Sequence, residues 1–199
     1  LDLNGLNQEV RSLGGGGTTG GAVTNSGASP AVLTIRPTGT DSATFSGTIG
    51  GDVRVVVAGD KLAPSYTAPR QRFAGTASTY TGGTLVDGTT LLARGDGSLG
   101  AVPAVFDPAN ITRQNNGTLL NELDPVPLTL DPNRGITLGT GGGALAAAFH
   151  ANVTVQGVIS GEAGNNLTIV ENNATVVLTG NNTYAGTTII QATGANGIG

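Results

Sequence analysis

The sequence has 199 residues, 34 of them glycine, with 11% charged residues and a formal net charge of −4. A hydrophobic content of 38% is too high for a disordered chain, and the lack of cysteine excludes disulfides and thiolate metal sites. The thin spread of nine Lys and Arg argues against nucleic-acid binding, and no apolar run is long enough to predict a membrane-spanning helix. With 4% aromatic residues and no Trp, the core must consist mainly of aliphatic side chains, which suit thin regular layers.

Short strands dominate the chain from its N-terminal end to its C-terminal end. In each of them apolar residues alternate with Thr, Arg or Gln, so that one side of the strand faces a core and the other faces solvent. The runs cover residues 33–36, 53–55, 128–130, 136–138, 153–156, 167–169 and 176–179. Gly, Asn and Asp separate them and favour tight corners. This pattern predicts an all-β protein of the sandwich, barrel or solenoid type.

Two segments depart from the pattern. Residues 101–132 hold five prolines and the polar patch 113–116, and we expect edge or loop excursions there because proline removes a ladder donor. Residues 144–150 contain no helix breaker and could form two helical turns. Since so short a helix is unstable alone, we expect the sheet to override this propensity.

Internal similarity selects the solenoid among the three architectures. Residues 73–84 resemble 178–188, residues 44–49 resemble 154–159, and residues 97–100 resemble 196–199. The offsets lie near half the chain length, which predicts a first module over 1–100 and a second over 101–199, continuous in one solenoid. Similar modules in series, each built from short strands, are typical of solenoids.

Several motifs resemble those of the autotransporter-associated β-strand repeat family. They are Leu1-Asp-Leu-Asn-Gly-Leu-Asn-Gln8, Ser12-Leu13, Ala22-Val-Thr-Asn-Ser-Gly27, Leu130-Asp-Pro-Asn-Arg-Gly-Ile-Thr-Leu-Gly139, Gly157-Val-Ile-Ser-Gly161 and the Thr-Tyr-x-Gly segments at Thr79 and Thr183. Together they occur in the family's order over nearly the whole chain. Residues 53–71 and the proline-rich segment depart from it. Residues 52–58 fit a strand, and the residues after this strand are expected to bulge out as a loop.

The resemblance implies a right-handed parallel β-helix from a large exported surface protein, with no catalytic residues. At about 20–25 residues per coil the chain would form roughly eight or nine coils. Stacked at about 4.8 Å, these coils would make a rod on the order of 40 Å long. Neither terminus resembles a cap: residues 1–3 are expected to form a strand at once, and 189–199 carry no charge. The chain lacks Met and begins at Leu1, which indicates a processed product or a segment of something longer.

Residues with catalytic potential are scattered. The nearest carboxylate groupings are Glu9 alone, Asp52 with Asp60, and Glu122 with Asp124, whereas a glycoside hydrolase needs a matched pair. Lys61, the one lysine, is expected in a loop, so a polysaccharide lyase or hydrolase is the weakest hypothesis. We therefore predict no enzyme, no catalytic or cofactor-binding residue and no cofactor.

Metal and ligand motifs are equally weak. His150 is the only histidine, and one His cannot form a His-rich metal site. A weak calcium site near Asp87, Asp96 or Asp107 stays open, although the calcium nonapeptide does not occur. The tripeptide Arg94-Gly95-Asp96 is expected to match integrin ligands only by chance.

The six Asn-x-Ser/Thr triplets are expected from composition. They begin at Asn110, Asn116, Asn152, Asn166, Asn173 and Asn181. We favour stacked Asn side chains hydrogen bonding along the corners. Tyr80 and Tyr184 occupy equivalent repeat positions and are expected to cover corners rather than to form a carbohydrate-contacting stripe.

These observations favour a structural segment of an extracellular or cell-surface protein, a rod or fibre that binds copies of itself end to end. The alternative is an adhesin or glycan-binding module on the same scaffold. No nucleic-acid partner is expected.

Overall fold

The computed structural model describes residues 1–17, 20–60, 69–121 and 126–192. In this part of the chain there are nineteen strands, one short 3₁₀ helix (Asp96–Leu99) and no α-helix. The strands are β1 Gln8–Val10, β2 Ala22–Asn25, β3 Ala31–Ile35, β4 Ser42–Phe45, β5 Thr48–Gly51, β6 Val53–Ala58, β7 Arg70–Phe73, β8 Thr84–Asp87, β9 Thr90–Ala93, β10 Asp107–Gln114, β11 Gly117–Asn121, β12 Leu128–Leu130, β13 Arg134–Leu138, β14 Gly143–Ala148, β15 Val153–Val155, β16 Ile159–Gly161, β17 Leu167–Asn172, β18 Val176–Leu178 and β19 Thr188–Ala192.

The strands stack into two long parallel sheets and a shorter third face. The first sheet has the order β1-β3-β6-β8-β10-β13-β16, and the second has the order β4-β7-β9-β11-β14-β17-β19. The third face consists of β2-β5 and β12-β15-β18, with the 3₁₀ helix packed against β12. The chain visits the third face, the first sheet and the second sheet in turn, so each strand pairs with strands one coil away. This confirms the predicted β-solenoid.

The solenoid has about 7 turns, fewer than the eight or nine expected. The difference lies in coil length. Ala31 pairs with Val53, 22 residues later, but Val55 pairs with Thr84, 29 residues later. Because longer coils mean fewer turns, about 7 turns at about 4.8 Å per turn give a rod of about 34 Å rather than 40 Å.

The core is a set of rows in which each inward side chain lies above its counterpart in the previous coil. The clearest row of the second sheet changes from polar to aliphatic along the rod: Gln71, Leu91, Leu119, Leu145, Ile169, Ile190. Phe45 stacks on Phe73 in another row. Since each level adds only a few medium-sized side chains, the interior needs no large aromatic anchor, as the composition indicated.

A second apolar cluster lies on the opposite side of the second sheet. Its buried members alternate along the strands with those of the main core: Leu92, Leu120, Ala144, Ala146, Ala148 and Val170. The strand β14 is consequently buried along its whole length, although it consists of one Leu, four Ala and a Gly. The expectation for 144–150 is confirmed up to Ala148, because burial on both faces of the sheet outweighs the helix propensity of alanine.

The proline-rich segment contains both predicted excursions and strands. Residues 101–106 form no strand, and β10 begins with a register shift between Asp107 and Ile111 at Pro108. Beyond this bulge β10 and β11 are regular and buried. Among the described residues of this segment, Pro108 lies at the irregular beginning of β10, where its lack of an N–H removes a ladder hydrogen bond.

The N-terminal residues differ from the expectation of an immediate strand. Asp2 makes an isolated bridge with Thr24, and the first strand begins only at Gln8. The intervening turn has Asn4 and Gly5 at positive φ. The strand predicted over 52–58 is confirmed as β6, while the loop expected after it lies largely in 61–68, outside the described residues.

Similar sequence segments occupy different faces of the rod. Phe73 lies in the second sheet, but its counterpart Leu178 lies on the third face; Thr84 lies in the first sheet, but Thr188 lies in the second. Each counterpart has therefore advanced by one face in the direction of the chain. The predicted boundary between modules at residue 100 stays a prediction.

Candidate functional site

The predicted carboxylate groupings do not form a catalytic pair in the described part of the chain. Asp52 and Asp60 are both exposed, and Glu9 forms a surface ion pair with Arg36 at 2.9 Å. Glu122, Asp124 and Lys61 lie outside the described residues. Among described residues, no group of three or more His, Cys, Asp or Glu side chains could hold a metal ion.

The three aspartates considered for calcium each accept hydrogen bonds from the protein. Asp87 accepts from the side-chain amides of Gln114 and Asn115, and Asp107 accepts from the Ala109 amide at 3.0 Å. Asp96 accepts from the Nε of Arg134 at 2.8 Å. The carboxylate of the Arg94-Gly95-Asp96 tripeptide is thus engaged within its own chain, and its side chain is only partly exposed.

The two tyrosines share a local hydrogen bond but differ in burial. Tyr80 is 1% exposed, and its hydroxyl lies 2.7 Å from Thr84 Oγ1. Tyr184 is partly buried against the end of the core, and its hydroxyl lies 2.6 Å from Thr188 Oγ1. Burial raises the pKa of the Tyr80 phenol. Tyr80 is therefore a buried packing group and does not form an exposed stripe with Tyr184.

The asparagines connect adjacent coils in a different way from the one predicted. Their side chains mostly bind backbone groups of a neighbouring coil rather than one another. Asn152 accepts from the Thr175 amide, Asn166 accepts from the Thr187 amide, and Asn121 donates to the Asn152 carbonyl. Asn110 is buried and accepts from Arg134 Nη1 at 2.7 Å. Backbone amides and carbonyls at the corners lack ladder partners, so an Asn that binds them replaces a missing ladder bond.

Arg134 forms a buried hydrogen-bond network inside the solenoid that the sequence did not reveal. The guanidinium is fully buried and donates to Asp96, to Asn110 and to the carbonyls of Leu99, Gly100 and Ala101. It therefore joins β13 to the 3₁₀ helix of the previous coil. Its hydrogen bonds satisfy backbone carbonyls at a place where the third face has no strand to pair with them. The sequence contained one signal of this role. Arg134 stands just before an alternating run, in place of an apolar residue.

A second buried arginine has no such partners. Arg113 lies in an inward row between Val86 and Leu138, and its Nε, Nη1 and Nη2 atoms have no hydrogen-bond partner. Its Cβ lies against Gly143, where a larger residue would not fit. Desolvation lowers the pKa of this guanidinium to about 9. Arg113 belongs to the polar patch 113–116, where edge or loop excursions were expected, but it lies buried within β10.

The last described coil leaves inward-facing apolar groups exposed. Ile190 continues the row that contains Leu145 and Ile169, yet it is 70% exposed, whereas Ile169 is buried. The inward residues of β18, Val176 and Leu178, are only partly buried. No described strand pairs with the outer edge of β19. A parallel sheet edge with an uncovered core beneath it is a template for another strand.

Comparisons with known proteins give no relative. No protein-family model, no curated protein and no solved structure matches this chain. No helix in the described part is long and apolar enough to cross a membrane. The resemblance to autotransporter-associated repeats therefore stays a prediction from the motifs.

Proposed function

We propose that this chain is a structural segment of a β-solenoid rod, which stacks axially on further coils of the same kind. The observation that carries the proposal is the uncovered Ile190 at the open edge of the last coil. The exposed side chain of Ile190 lacks the stabilisation that burial gives to the other members of its row. One more coil would cover it and stabilise the rod by about 25 cal/mol per Å² of apolar surface buried. The same coil would pair the N–H and C=O groups of β19.

A location outside the cell fits this role. The chain has no cysteine, few charges and a flank of Thr, Ser and Asn, a composition compatible with export and with an oxidising medium. We propose a mechanical rather than a catalytic role. Labelling of intact source cells with a membrane-impermeant reagent tests the location, and a protein found only after lysis contradicts it.

Self-association of the 199-residue chain tests the axial stacking. Sedimentation velocity and negative-stain electron microscopy are expected to show concentration-dependent linear particles. Ile190→Lys is expected to abolish them, because stacking would bury an unpaired ammonium group. The matched control is Val105→Lys, which places the same charge at a flank residue that is 77% exposed.

Two outcomes contradict the proposal. One is a chain that stays monomeric at every concentration. The other is assembly that Val105→Lys abolishes and Ile190→Lys leaves intact, since the contact would then be lateral.

A further inference from the structure

The corner after β14 has a backbone that suits its sequence poorly. Phe149 and His150 have φ of +55° and +65°, in the left-handed region that glycine and asparagine favour. The comparable pairs in the solenoid have such residues: Asn115 with Asn116, and Gly141 with Gly142. Left-handed backbone costs an ordinary residue about 1–2 kcal/mol. The sequence at this corner is thus less stable than an Asn-Gly turn would be.

Packing does not compensate for that cost. The Phe149 side chain belongs to the corner's outer surface and is 57% exposed, unlike Phe45 and Phe73, which are core residues. An aromatic ring that is both strained and exposed contributes little to folding. Such outliers cluster at ligand-binding positions, where the ring is needed for its surface.

Neutral hydrogen-bonding groups surround the ring. His150 is exposed and its Nε2 contacts the Asn173 side-chain amide of the next coil. Asn152 and Thr175, which meet through the Thr175 amide, are exposed as well. No Asp, Glu, Lys or Arg occurs within residues 135–161 or 172–199. The residues that contact one another at this corner are therefore one apolar ring and uncharged donors and acceptors, and the acidic Glu171 of the next coil pairs with Ala147 beside them.

We propose that the Phe149 corner is a contact site for a neutral polysaccharide. The flat ring would stack on the apolar C–H face of a pyranose, and the amides of Asn152 and Asn173 with the imidazole of His150 would bind its hydroxyl groups. No Lys or Arg occurs within residues 135–199, and Glu171 pairs in register with Ala147 near the corner, so the corner favours a neutral chain over an anionic one. A single ring is far smaller than the apolar centre of a protein interface, which favours a sugar over a protein partner.

The test compares two exposed phenylalanines. Phe149→Asn removes the ring and puts a residue suited to left-handed backbone in its place, so the variant is expected to melt at an equal or higher temperature than the parent. Phe106→Asn is the matched control, since Phe106 is 44% exposed and has no positive φ. Binding is measured by saturation-transfer NMR and calorimetry with cellohexaose, laminarihexaose, maltohexaose, mannohexaose and chitohexaose.

We expect at least one of these sugars to bind the parent, with affinity at least tenfold weaker in Phe149→Asn and unchanged in Phe106→Asn. The proposal is overturned if none binds, if the loss occurs equally in both variants, or if hexagalacturonate binds at Phe149 as well as the neutral sugars do. The parent and both variants carry Ile190→Lys in these measurements, which is expected to keep them monomeric. A failure to bind sugar therefore says nothing about axial stacking.

Discussion

Two arginines buried within the same solenoid show that the surroundings of a residue, rather than its type, determine its effect on stability. Arg134 satisfies its donors with the side chains of an aspartate and an asparagine and with four backbone carbonyls. Arg113 is equally buried but its guanidinium nitrogens have no partner. A charge buried without a partner costs several kcal/mol, whereas one held by good hydrogen bonds costs much less. The two residues are therefore expected to respond oppositely to the same substitution.

Arg113→Met is expected to stabilise the protein. Methionine is flexible, fits the space of the arginine stem between Val86 and Leu138, and needs no partner. Replacement of buried charged groups by apolar ones of similar volume gains up to about 1–4 kcal/mol. The free energy of unfolding, measured by urea denaturation, is expected to rise within that range.

Arg134→Met is the matched substitution and is expected to destabilise the protein by about 3–5 kcal/mol, because it leaves Asn110 and several carbonyls unsatisfied. The side chain of Asp96 is partly exposed, so water can replace the hydrogen bond that it loses. The expected destabilisation is therefore at the lower end of this range. Equal effects of the two substitutions would contradict the distinction between paired and unpaired guanidinium groups.

The low pKa of Arg113 predicts an unusual pH dependence. The pKa of about 9 for Arg113 in the folded chain lies well below the ordinary pKa that its guanidinium has in the unfolded chain. Between these two pKa values the unfolded state binds more protons than the folded state does. The free energy of unfolding therefore rises with pH, and the destabilisation caused by the buried charge of Arg113 becomes smaller. Relative to Arg113→Met, the parent is expected to gain about 1 kcal/mol between pH 8 and pH 10.

This comparison stops at pH 10 for a physical reason. The raised pKa of Tyr80 keeps its phenol protonated in the folded state while the unfolded phenol ionises, so stability falls above pH 10 in both proteins. A difference between parent and variant that stays constant from pH 8 to pH 10 would mean that Arg113 does not titrate there.

At the level of strands and corners, the solenoid depends on glycine where successive coils come closest. Gly21, Gly47 and Gly75 form one such column: a Cβ at Gly47 would overlap the carbonyl oxygen of Gly21, and one at Gly75 would overlap that of Gly47. None of these three has a positive φ. The requirement for glycine in this column is therefore close approach of backbones rather than backbone conformation.

Gly47→Ala is consequently expected to destabilise the protein by about 1–3 kcal/mol or more, as overpacked sites do. Gly14→Ala is the control, because a Cβ there would have only an ordinary contact, 3.8 Å from the Thr44 carbonyl oxygen, and Gly14 has no positive φ. Its effect is expected to stay within about 0.5 kcal/mol. Thermal melts of both variants measure the difference, and a control as unstable as Gly47→Ala would exclude the steric explanation.

The sequence predicted the strands better than it predicted the polar interior. Alternation and corner residues were sufficient to place β3, β6 and β12, because those signals are local. The buried roles of Arg113 and Arg134 depend on which coil lies above and below, and no local pattern contains that information. The candidate site at Phe149 was missed for a similar reason: its strain becomes visible only as a φ angle.

For the whole molecule, the internal similarity has a geometric consequence. Because sequence counterparts advance by one face, the repeat corresponds to a number of whole coils plus about one third of a turn. The element that the repeats share is the local turn, as the Tyr80–Thr84 and Tyr184–Thr188 hydrogen bonds show, and not the face on which it lies. In a longer rod of such repeats, surface features like the Phe149 corner would wind around the axis and return to the same face after three copies.

The stacking of coils also predicts how stability is distributed along the rod. In a solenoid each coil contacts only its neighbours, so interior coils open at a higher free energy than end coils do. Hydrogen exchange followed by mass spectrometry is expected to show the strongest protection in β9 and β11 and the weakest in β1 and β19. Axial stacking adds a second expectation: protection of β19 rises with protein concentration, while that of β11 does not change. In Ile190→Lys the concentration dependence is expected to vanish, because β19 then stays at an open end. Protection of β19 that is independent of concentration in the parent would mean that the exposed edge is stable without a neighbour, and the uncovered row at Ile190 would then not act as an assembly surface.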